Sequence, residues 1–99
     1  MPIPADKLRD AQRPLSERIV EFLSAHPESA FSFYEIVASI EGYDDVDDAA
    51  LALVAQGAGP GAMRTLYIGA LKQLLASEAI AGAKVKGDVY YALARRKQG

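Results

Sequence analysis

The chain has no cysteine and only one histidine, His26. Without cysteine it can form neither disulfides nor thiolate metal sites, which fits a cytosolic protein. With no cysteine and no second histidine, no nucleophile–base pair stands out, and we expect neither an enzyme nor a cofactor. Long apolar runs are absent too. None approaches the ~20 residues of a membrane span, and the start, MPIPADKLRDAQRP, lacks the apolar core of a signal peptide. The acidic stretch Glu41 to Asp48 lacks the alternating oxygen ligands and terminal glutamate of a calcium-binding loop, so its aspartates read as helix caps and solvated charges. GAGPGA at 57–62 follows no predicted strand and has no lysine-serine or lysine-threonine ending; it reads as a hinge and not as a phosphate loop. The sequence shows no internal repeat and no low-complexity segment.

What is present fits one small domain. The chain is 99 residues long and 51% hydrophobic, too apolar for a disordered segment. Burial in so short a chain is limited, so dimerisation would help it. The formal net charge is −2, but the charges are unevenly placed. Residues 1–61 carry four basic and eleven acidic side chains, net −7, whereas residues 62–99 carry seven basic and two acidic ones, net +5. Such asymmetry suggests a polar surface, either one that faces polyanions or an ordinary solvated one.

The periodicity predicts helices first. Pro14 ends or kinks whatever precedes it. Leu15, Ile19, Phe22 and Leu23 then form one apolar stripe, which His26-Pro27 closes, with His26 as a partner for the helix dipole. Ser32-Phe33-Tyr34-Glu35 reads as a capping box, with Phe31 and Ile36 placed as a hydrophobic staple. The helix it opens runs over about 33–41 to Gly42, and AFS before it can add a brief extended piece. Asp44 or Asp45 can cap a further helix, AALALVAQ, that stops at Gly57. The next helix starts near Pro60. Its apolar face is Met63, Tyr67, Ala70, Leu71, Leu74 and Leu75, and its other face is Ala62, Thr65, Gly69, Lys72, Gln73 and Ala76.

Two strands follow, Ile80 to Lys86 and Asp88 to Ala94. A two-residue turn at Lys86-Gly87 pairs Ile80 with Leu93, Gly82 with Tyr91 and Lys84 with Val89, placing Ile80, Tyr91 and Leu93 on one face. The predicted class is mainly α with a small β-hairpin (α+β).

The pattern ALKQLLASEAIAGAKVKGDVYYAL resembles the end of a winged helix-turn-helix domain, a shape shared by MarR-, PadR- and ArsR-type bacterial regulators. The resemblance spans about residues 15–94. It implies that the helix over 62–77 is the recognition helix and that the hairpin over 79–94 is the wing. Residues 1–14 would then be an N-terminal arm, 43–61 an insertion carrying an extra helix between helix 2 and helix 3, and 95–99 a basic tail. Two features depart from the family pattern. The connection between helix 2 and helix 3 is about twenty residues instead of a few. Ser77-Glu78-Ala79 also stands where a glycine commonly ends the third helix.

On this reading the chain is a cytoplasmic, homodimeric bacterial transcription regulator that binds double-stranded DNA. The N-terminal segment and the 43–61 insertion are the candidates for the dimer contact. Arg64, Thr65, Lys72 and Gln73 could reach base edges or phosphates. Lys84, Lys86, Arg95 and Arg96 would contact phosphates. Edge lysines also serve simply to block strand pairing, and Gly69 would suit close approach of another helix as well as of DNA. The competing reading is therefore a winged-helix protein–protein interaction module with weak or no DNA binding.

Overall fold

A computed structural model describes residues 14–94. The element order is α1 (Leu15–Ala25), β1 (Phe31–Ser32), α2 (Phe33–Glu41), α3 (Val46–Ala55), α4 (Met63–Ala76), β2 (Ile80–Val85) and β3 (Asp88–Leu93). The class is α+β. Among the described residues, no helix is long and apolar enough to cross a membrane.

Local chemistry accounts for most of the boundaries. α1 stops before Pro27, with the His26 N–H donating to the Leu23 carbonyl. The capping box at α2 is complete: the Glu35 N–H donates to Ser32 Oγ at 3.4 Å, and the Ser32 N–H donates to Glu35 Oε1 at 2.8 Å. Gly42 ends α2 at φ 84°, in the left-handed region that glycine enters without penalty. Of the two candidate aspartates, Asp45 caps α3, its Oδ1 accepting from the Asp48 N–H at 2.9 Å.

The predicted hairpin is part of a three-stranded antiparallel sheet of order β1-β3-β2. The predicted register holds throughout, with Ile80 opposite Leu93, Gly82 opposite Tyr91 and Lys84 opposite Val89. The strands stop one residue short of the predicted ends because Lys86 and Gly87 form the turn and Ala94 lies beyond the ladder. The extended piece before α2 is the third strand. Phe31 pairs with Tyr91 and Ser32 with Tyr90, joining residues far apart in sequence.

One core joins these layers. Ile19 and Leu23 of α1, Ile36 and Val37 of α2, Ala49 and Leu53 of α3, Tyr67, Leu71 and Leu74 of α4, and Ile80 of β2 are all buried. The ring of Phe31 rests on those of Phe22 and His26, at centroid distances of 4.8 and 5.6 Å. Arg18 reaches from α1 to the end of α2, its guanidinium donating to the Ile40 carbonyl at 3.4 Å.

Candidate nucleic-acid interface

The orientation of α4 decides what the protein can present. Tyr67, Ala70, Leu71 and Leu74 are buried. They fall at i, i+3, i+4 and i+7, so Thr65, Gly69, Lys72 and Ala76 are turned outward, and all four are exposed. The helix begins at Met63, slightly after the predicted start, because Pro60 and Gly61 are taken up in a turn. Leu75 departs from its predicted place in the core: it is exposed, and one of its methyls covers Gly82 of β2.

Tyr67 fixes the rotation of α4. Its side chain is buried and its hydroxyl donates to Glu41 Oε2, at the end of α2, at 2.7 Å. Burial, followed by this hydrogen bond and the charge of Glu41, raises the phenol pKa far above its ordinary value. The hydroxyl therefore remains a donor.

The hairpin turn has φ 52° at Lys86 and φ 90° at Gly87. Two successive positive values describe a type I′ turn, whose first central position favours asparagine, aspartate or glycine. A lysine stands there instead. Lys84 is opposite Val89 and so lies on the same sheet face as that residue. Val89 in turn lines a groove of about 280 Å³ with Arg64 and Ile68 of α4, Tyr34 of α2 and Tyr91. That face of the hairpin therefore looks toward α4, and Arg64 and Lys84 are on the same side of the molecule.

Not every predicted residue joins this arrangement. Lys72 and Thr65 stand on the outward face of α4. Gln73 falls seven residues after Leu66 and shares its stripe, around the helix from Arg64. Lys86 is at the hairpin tip. Arg95 and Arg96 lie outside the described residues. Asp88 lines the same groove as Arg64, so that groove carries one charge of each sign.

The structure adds residues that the sequence pattern did not single out. Tyr34, Ile68 and Val89 give the Arg64 groove apolar walls. A second groove, of about 320 Å³, shares Tyr34 and Arg64 with the first and is lined also by Ala50, Val54 and Ala58. Only the pairing of β1 with β3 and the position of α3 bring these residues together. The spacing of Arg64 and Ile68, four apart on one helix face, was the available sequence signal.

Compared with models of known protein families, with curated proteins and with solved structures, the chain matches none.

Proposed function

We propose that the chain is a winged-helix DNA-binding protein acting in the cytoplasm as a small bacterial transcription regulator. The order of helices and strands supports this reading, as does the sheet order β1-β3-β2, which sets the first short strand beside the hairpin. α4 would enter the major groove with Thr65, Lys72 and Gln73 toward base edges. Lys84 and Lys86 would hold phosphates, with Arg95 and Arg96 extending the contact.

The observation that carries the proposal is the placement of the wing lysines. Lys84 sits on the hairpin face that looks toward α4. Lys86 occupies a left-handed turn position that asparagine or glycine would fill with less strain. Strained positions of this kind collect at functional sites.

The test is a titration of the full chain with mixed-sequence duplex DNA at low and moderate salt, read by amide shifts. Shifts over Arg64 to Gln73 and Lys84 to Lys86 that weaken with salt are expected. Replacing both wing lysines with alanine should lower the slope of log affinity against log salt by about 2. No shifts at low salt would refute the proposal. They would favour the second reading, a protein–protein interaction module, for which the apolar groove of Tyr34, Ile68 and Val89 beside Arg64 speaks.

A further inference from the structure

α3 buries Ala49 and Leu53 and leaves its opposite face open. Val54 is 77% exposed and Leu51 67%, the two highest values among the large apolar side chains described. Asp47, Leu51 and Val54 fall at i, i+4 and i+7, so they form one stripe along the helix, acidic at its start and apolar in its middle. Beyond the end of the helix, Ala58 lines one groove with Val54. There the groove between Val54, Gly57 and Ala58 is shared with Arg64.

We infer that this stripe is the contact between two copies of the chain, paired antiparallel about a two-fold axis. An axis between Ala52 and Leu53 sets Leu51 against the partner's Val54 and Val54 against the partner's Leu51. The same axis sets Asp47 over the partner's Ala58, within reach of the partner's Arg64. A two-fold contact must be self-complementary, and this one is: two apolar pairs occupy its centre and an ion pair closes each end.

The charges choose a second copy over another occupant. The start of α3 carries Asp44, Asp45, Asp47 and Asp48. Asp45 is engaged in capping. In the paired arrangement Asp47 faces a cation of the partner, which also relieves the repulsion that this acidic cluster would otherwise exert on DNA phosphates. Lys72, Lys84 and Lys86 remain open in the dimer. The contact is small, since a ten-residue helix is about 15 Å long. It falls short of the ~800 Å² per partner of a standard interface, and association in the micromolar range is expected.

Sedimentation of the full chain over a concentration series, without DNA, tests this, so its outcome is separable from that of the titration above. The wild-type chain should pass from monomer to dimer below about 0.5 mM. Leu51→Glu with Val54→Glu should weaken the dimer at least ~10-fold while the far-UV spectrum is kept. Asp47→Arg and Arg64→Asp should each weaken it, and the two together should restore it, a rescue that only a folded chain can give. A wild-type chain that stays monomeric throughout would overturn the inference. So would a dimer indifferent to the glutamates, or a charge exchange that does not rescue.

Discussion

α2 and α4 pack on the same core but are secured by different means. α2 is closed by its own neighbours: the Ser32–Glu35 box at one end and Gly42 at the other. α4 has no side-chain cap from its N-cap residue, Ala62. Its first amide, of Met63, is met instead by Gln56 Oε1 from just beyond α3, at 3.2 Å. Its middle is tied to α2 through Tyr67 and Glu41. At its far end Glu78, and not a glycine, takes the left-handed position, at φ 63°. The helix proposed to meet DNA is thus positioned by distant parts of the chain. The segment over 43–61 is one of them, since Gln56 lies in it, so it helps to orient α4.

The tie through Tyr67 gives the largest expected effect. Tyr67→Ala would open a cavity in the core and should cost about 3–5 kcal/mol in urea unfolding. Tyr67→Phe removes only the hydroxyl and its hydrogen bond to the Glu41 carboxylate, and should cost about 1–2 kcal/mol. The pH dependence separates the two contributions. The unfolded chain releases this proton near pH ~10, whereas the folded phenol holds it to much higher pH. Proton release then favours unfolding, so stability is fully present below about pH 10 and falls above it, by up to ~1.4 kcal/mol per pH unit. Tyr67→Phe should lose that part of the alkaline decline. An unchanged decline would mean that Tyr67 does not carry it.

The two left-handed residues offer a comparison of opposite sign. Gly42→Ala puts a side chain where glycine stands at φ 84° and should destabilise by about 1 kcal/mol. Glu78→Gly relieves the same strain at the end of α4 and should stabilise by up to about 1 kcal/mol, less the flexibility that glycine adds to the unfolded chain. Thermal unfolding of the pair measures both. Equal signs would show that the backbone conformation does not govern these two ends.

The same contrast explains what could be read from the sequence. The ends of α2 and the hairpin register follow from residues within a few positions of one another: Ser32 with Glu35, Gly42, and Lys86 with Gly87. The β1–β3 pairing joins Phe31 to Tyr91, and the Tyr67–Glu41 bond spans 26 residues, so neither leaves a local mark. VDDAALALVA is apolar nearly all round. Its sequence alone does not say that Ala49 and Leu53 go inside while Leu51 and Val54 stay out. For the candidate interface, the exposed types on α4 and the hairpin lysines were legible. That Lys84 looks toward α4, and that Arg64 lines two grooves with apolar walls, depended on the tertiary arrangement.

The smallest expected effect bears most directly on how α4 is held. Gln56→Ala removes one exposed hydrogen bond and should cost no more than about 0.5 kcal/mol, the low end of the range for a lost cap. Its signature is local. Without the Gln56 amide oxygen, the Met63 N–H has only water as a partner, and the first turn of α4 should exchange its amide hydrogens faster while the first turn of α2 is unaffected. Ser32→Ala should do the reverse, freeing the first turn of α2 and leaving α4 intact, at about 1 kcal/mol. If Gln56→Ala instead leaves exchange at Met63 unchanged, the core around Tyr67 is enough to hold the start of α4. The 43–61 segment would then lose its part in orienting that helix and keep only the role of its outward face.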